Sequence, residues 1–166
     1  SKELFDLVQE TRGVNKGVWG SKTFAFRGLL KCGRCTADIT AQDKFKTLKN
    51  GDVKRFVYYN CTRRKDPNCA EKYVNEERLC ELMQGFIEKH HEDIKITEKL
   101  RARVDKHFYT TKTILTHYKI DQKLDNPFIE YARYVLADGT DSERTFLASN
   151  MGPMLQIKDG ELEFYR

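Results

Sequence analysis

Apolar positions along this chain follow two rhythms. The first has a period of two. Residues 39–46, "ITAQDKFK", and residues 55–61, "RFVYYNC", are predicted as two strands. Between them "LKNGDVK" carries Asn50-Gly51, a hairpin-turn signal. Tyr58 and Tyr59 are adjacent, so one is expected to face inward and the other outward. "TFAFRGLL" alternates Phe24 and Phe26 and is predicted as a strand leading into Lys31. The tail "MLQIKDGELEFYR" alternates Leu155 and Ile157, turns at Asp159-Gly160 and returns through Leu162 and Phe164. It is predicted as a hairpin over 154–165.

The second rhythm is helical. Leu4, Phe5 and Val8 mark a short helix capped by Ser1 and ended by Gly13. Leu79, Leu82, Met83, Phe86 and Ile87 predict a helix from an Asn75 cap to about Lys89, with Glu76 and Glu77 in its first turn. A further helical stretch is expected from about Asp93 to Lys119, as one helix or as two joined near 109–111. Its apolar side is Ile96, Leu100, Val104, Phe108, Ile114, Leu115 and Tyr118, and His107 and Thr111 interrupt the seam as a heptad. Asn126-Pro127 opens a helix that buries Phe128, Ile129, Ala132 and Leu136 and ends at Gly139. Thr140 to Glu143 is a capping box for a last helix through Phe146, Leu147 and Met151, stopped by Gly152-Pro153. The fold class expected is α+β, with a ribbon-like hairpin domain, then helices, then a C-terminal β-hairpin.

Cysteine spacing changes the picture most. Cys32 and Cys35 form a C-x2-C step, and after 25 residues Cys61 and Cys69 form C-x7-C. The hairpin between the pairs returns the chain to its starting point, so four thiolates can meet around one zinc ion. The spacing of seven implies that Thr62 to Asn68 is an open loop. A thioredoxin-like reading needs a βαβ setting, and none is seen. Cys80 lies beside the apolar stripe of its helix and reads as a small half-buried hydrophobe. None of the four histidines is taken as a ligand; His90 and His91 sit at a predicted helix end, where they suit the dipole. An odd total of five cysteines argues against a disulfide framework and for a reducing, cytoplasmic compartment. The charged N-terminus is not expected to be a signal peptide, and no apolar run is long enough for a membrane span.

Charge is uneven. Residues 1–75 hold 16 Lys+Arg against 8 Asp+Glu, and residues 76–166 hold 14 against 17. A basic first part suggests a polyanionic partner.

The motifs together carry a family resemblance. "SKELFDLVQ", then "TFAFRGLLKCGRC", "YYNC" with a second Cys, helices, and "SERTFLASNMGPMLQIKDGELEF" resemble the C-terminal part of a large serine recombinase or serine integrase. The resemblance implies residues 1–22 as the end of a recombinase domain and a linker, 23–74 as a zinc ribbon, and 75–166 as a helical region with a possible short coiled coil. Thr36 departs from it, standing where the family usually has glycine. No resolvase-like catalytic domain is present in the sequence, so the chain itself is expected not to be an enzyme and to be a piece of a bacterial, phage or mobile-element recombinase.

The function expected is a DNA-binding module for site-specific recombination and integration, built on one structural Zn2+ held by Cys32, Cys35, Cys61 and Cys69. Lys44, Lys46, Lys49, Lys54 and Arg55 on the hairpin would meet duplex DNA, the lysines mostly at phosphates. Arg63 and Arg64, with Lys65, lie on the second metal loop, and a guanidinium suits a guanine edge. Lys16, Lys22 and Arg27 would follow the backbone or enter the minor groove, and Trp19 would anchor the linker. Partners expected are double-stranded DNA and other recombinase subunits through the helical region, with no membrane and no small-molecule substrate. The alternative is a zinc-ribbon protein-interaction module without DNA binding.

Overall fold

The computed structural model describes residues 23–152 and 154–165. The predicted N-terminal helix, Trp19, Lys16, Lys22 and Pro153 lie outside the described residues. The fold is a mixed α+β arrangement, with β1 (Leu30–Cys32), β2 (Ile39–Thr47), β3 (Val53–Cys61) and β4 (Val74–Asn75) leading into α1 (Glu76–His90). β5 (Lys95–Ile96), α2 (Glu98–His117), α3 (Pro127–Asp138), α4 (Asp141–Ser149), β6 (Met151–Gly152), β7 (Leu155–Lys158) and β8 (Glu161–Phe164) follow.

The long hairpin forms where the alternation places it, with Ile39 opposite Cys61 and Thr47 opposite Val53. Its turn uses three residues. Gly51 N–H donates to Leu48 O at 3.0 Å, and Gly51 sits at φ 87°, where a side chain would be strained. Ile39, Val57, Tyr59 and Cys61 are buried on one face, so Tyr59 is the inward tyrosine. A third strand, β4, pairs Val74 with Tyr59 and was not legible in its two residues.

The predicted strand "TFAFRGLL" is corrected. Residues 25–29 are turns, and only Leu30–Cys32 is extended. Arg27 N–H bonds Phe24 O, Leu29 N–H bonds Phe26 O, and Gly28 has φ 74°. Phe24, Ala25 and Phe26 are all buried, so the apolar run is a folded plug and not a two-sided strand.

The helices keep their predicted caps. Asn75 Oδ1 accepts from Arg78 N–H at 2.7 Å, Asn126 Oδ1 from Phe128 N–H at 2.9 Å, and Thr140 and Glu143 form the reciprocal capping box. Two boundaries move. α2 starts at Glu98 behind a Thr97 cap, because Lys95 and Ile96 pair with Met151 and Gly152 as a small sheet. The same pairing ends α4 at Ser149 and puts Met151 in a strand. α2 is one helix, yet of its predicted apolar side only Leu100 and Val104 are buried; Ile114 and Tyr118 are exposed. Its distal half is flanked by the irregular segment 119–126, which supplies Ile120 and Leu124 to the cleft beside Phe108 and Leu115.

One apolar core runs through the described residues, from Phe24, Phe26 and Leu30 through Leu79, Met83 and Ile87 to Val135, Leu147 and Ile157. Arg133 ties α3 to α1 by reaching Glu88 at 2.9 Å, and it also holds Asp125 at 2.8 Å. The C-terminal hairpin forms as predicted, with Asp159 and Gly160 both at positive φ in its turn. It does not stand apart. β7 pairs in parallel with β1, so strands 125 residues apart share one sheet, with Leu30 opposite Leu155 and Cys32 opposite Ile157.

Candidate metal centre and nucleic-acid interface

Two turns deliver the four cysteines. At the first, Thr36 N–H donates to Cys32 O at 2.7 Å and the chain reverses with Thr36 at φ 59°. At the second, Arg63 at φ 55° donates its N–H to Cys61 Sγ at 3.2 Å. Thr62 to Asn68 is the open loop expected, exposed throughout, and Asn68 N–H bonds Asp66 Oδ1 to bring Cys69 back.

Cys32 Sγ lies 3.6 Å from Cys69 Sγ, and Cys35 Sγ lies 3.3 Å from Cys61 Sγ. All four sulfurs fall within 4.8 Å of one another. Thiolates at ~2.3 Å from a tetrahedral zinc stand ~3.8 Å apart, so the cluster has the size such an ion needs. All five cysteines are free thiols. Burial pushes the Cys32 thiol up against the opposing N–H groups of Cys35 and Arg34, and it pushes Cys61 up against the Arg63 N–H. Cys35 is held below its ordinary value; burial opposes that shift, and the Ala37 N–H and the neighbouring thiols outweigh it. A bound cation would favour the thiolate at all four positions.

Outside the sulfur cluster lies a shell that sequence reasoning missed. Glu71 is buried, and its carboxylate accepts from Asp159 N–H at 3.0 Å and Gly160 N–H at 3.2 Å. Arg34, between Cys32 and Cys35, lies 3.4 Å from Glu71 and also bonds Asp159. Nothing in the spacing of Glu71 marks it, because its partners come from the far end of the chain.

The predicted DNA-facing cations separate into groups. Every one among the described residues is exposed. Lys44, Lys46 and Lys54 share the outer face of the hairpin with Phe56 and Tyr58, by the pairings Lys44 to Phe56 and Lys46 to Lys54. Lys44 lies 5.8 Å from the Tyr58 ring, and Lys46 and Lys54 lie 5.5 and 5.1 Å from the Phe56 ring. Lys49 is in the turn. Arg55 faces the other way, bonded to Asp43 at 3.1 Å and 4.0 Å from Asp141, so it is less available than its neighbours. Lys54 is also paired with Glu77. Arg63, Arg64 and Lys65 sit at the opposite end of the hairpin, on the loop between Cys61 and Cys69, where Lys65 Nζ donates to Thr36 Oγ1 at 2.9 Å. At ~3.4 Å per residue the two groups are about 24 Å apart. Arg27 lies in the turn before β1.

Residues 25–87 match the family model of the recombinase zinc beta ribbon domain. The ribbon match covers Ala25 and Phe26 of the plug, all four clustered cysteines, the hairpin and most of α1. It lies on the most specific part of the sequence resemblance. A crystal structure of an LSR–DNA complex (LSR denoting a large serine recombinase) aligns with 99% of this chain at 16% identity and a TM-score of 0.45. The chain spans 65% of the length of that solved chain. No curated protein matches. Among the described residues no helix is long and apolar enough to cross a membrane.

Proposed function

We propose that this chain is a DNA-binding part of a site-specific serine recombinase, acting by recognition and not by chemistry of its own. The observation that carries the reading is the four-thiol cluster at the base of a basic hairpin, inside the segment that matches the recombinase zinc ribbon. Cys32, Cys35, Cys61 and Cys69 would hold one zinc ion. Four thiolates leave no open position for water or substrate, so the ion would be structural. Residues 23–74 would form the ribbon proper and 75–166 its helical support.

In this reading Arg63, Arg64 and Lys65 contact DNA from the metal loop, and Lys44, Lys46, Lys49 and Lys54 contact phosphates from the outer face and the turn. A separation of about 24 Å matches roughly seven base-pair steps at ~3.4 Å per step, so the hairpin would lie along a groove. Arg27, Lys16 and Lys22 would extend the contact on the side of the N-terminus. Arg55, held by Asp43, would contribute least.

The test is zinc content by native mass spectrometry, with a titration onto duplex DNA at two salt concentrations. One zinc per chain and affinity that drops steeply with salt are expected. One zinc without DNA affinity would overturn the DNA reading.

A second reading has its own observation. Tyr109, Ile114, Tyr118 and Ile120 are exposed along the distal half of α2 and just beyond it. That surface would serve contacts with other recombinase subunits. Sedimentation of the chain with and without Ile114→Lys tests it, and an unchanged mass would remove it.

A further inference from the structure

The metal cluster is walled on one side by the C-terminal hairpin. β1, which carries Cys32, pairs with β7, and Gly33 N–H donates to Ile157 O at 2.7 Å. A Cβ added at Gly33 would stand 2.6 Å from Lys158 Cβ, so the knuckle and the hairpin approach as closely as glycine allows. Glu71 is 3% exposed and is the sole buried charged side chain among the described residues. It lies two residues after Cys69 and takes both N–H groups of the hairpin turn. Arg34, from the other cysteine pair, faces Glu71 and bonds Asp159 of the same turn. Each cysteine pair thus supplies one residue that grips a turn more than eighty residues away. With the hairpin undocked, the Glu71 carboxylate would lose both N–H donors and keep only Arg34, an expensive state for a buried charge.

We propose that Glu71 and Arg34 are positioning residues of the metal centre, and that the C-terminal hairpin is a latch that closes with the metal. Cys32 and Cys69, held together on one zinc ion, would keep Arg34 and Glu71 in the geometry that holds the turn. The docked hairpin in return fixes the Cys32–Cys35 knuckle. The coupling is reciprocal, so metal and hairpin tighten one another by the same factor. This rests on reading the four cysteines as a zinc site.

The test uses the full chain and two readouts: zinc affinity by competition with a chromophoric chelator, and hydrogen exchange at residues 154–165. Removing zinc from the wild type is expected to speed exchange in β7 and β8 while α1 and α3 stay protected. Glu71→Gln is expected to weaken zinc about 10–100-fold and to raise hairpin exchange even with zinc bound. Gly33→Ala pushes the hairpin away without touching Glu71, and it should do the same; it decides the matter if Glu71→Gln does not fold. Glu163→Gln, on the same hairpin but bonded to Gln156, should change neither readout. Wild-type zinc affinity in both Glu71→Gln and Gly33→Ala, or a hairpin equally protected after zinc removal, would sink the latch. A wild-type chain that takes no zinc would overturn the metal reading first, before any variant is made.

Discussion

Tyr59 shows how one side chain sets the geometry at the base of the ribbon. Its ring is buried beside Phe26, its hydroxyl donates to Glu76 at 2.9 Å, and it accepts from the buried Phe26 N–H at 3.3 Å. Tyr59→Phe would leave that N–H without a partner and is expected to cost about 1–3 kcal/mol in urea denaturation. Thr36 is the reverse case, a β-branched residue at φ 59° where glycine would be unstrained. Its hydroxyl bond from Lys65 is exposed and offsets little of that strain. Thr36→Gly is therefore expected to raise stability by about 1 kcal/mol, read as a higher Tm. Cys80 stands outside the sulfur cluster. Burial pushes its thiol up to about 11, against the pull of Arg144. Iodoacetamide should leave it unmodified near neutral pH. Since the unfolded thiol titrates near 9.0, its contribution to stability is present below that pH and is lost as pH rises towards about 11.

Among the elements, the helix starts were the most legible because a cap is a local bargain between neighbours in sequence. The capping box of α4 allows a sharp test. Thr140 N–H and hydroxyl hold the Glu143 carboxyl below its ordinary value of 4.5. The stabilisation is therefore present above that pH and is lost as pH falls through the lowered folded value. Thr140→Ala is expected to cost about 1 kcal/mol at neutral pH and to make that acid limb only partly shallower, since the backbone N–H at position 140 still holds Glu143, measured by thermal melts across pH. Element ends were less legible. Met151 and Ile96 read as helical from their spacing, yet they pair with each other as strands because Thr97 and Asn150 bond across the gap. Phe24 and Phe26 alternate like a strand but are packed as turns, since a plug buried on both sides does not obey a two-sided rhythm.

At the scale of the molecule, the two ends of the described chain are one structure. Leu155 and Ile157 are buried against β1 and share the core with Leu30 and Phe26. Ile157→Ala is expected to cost about 2–5 kcal/mol and to destabilise the ribbon as well as the tail, seen as a single shifted transition in denaturation. The charge map belongs to this scale too. Arg63→Ala with Arg64→Ala should lower DNA affinity and relax base preference, Lys44→Ala with Lys46→Ala should reduce the salt slope by roughly two, and Arg55→Ala should change either little.

The sequence by itself determined the local pieces: the hairpin between the cysteine pairs, the capped helices, the tail hairpin and the set of four thiols. Each depends on periodicity, turn chemistry or spacing within a few tens of residues, and such signals are written along the chain. Only the tertiary structure decided that the tail closes over the Cys32–Cys35 knuckle, that Glu71 and Arg34 join them, and that the basic residues form two groups at opposite ends of the hairpin. Parallel pairing of β1 with β7 leaves no turn signal, because the strands it joins are separated by the whole helical region. A buried carboxylate likewise has no spacing to betray it, because its donors are brought to it only by folding.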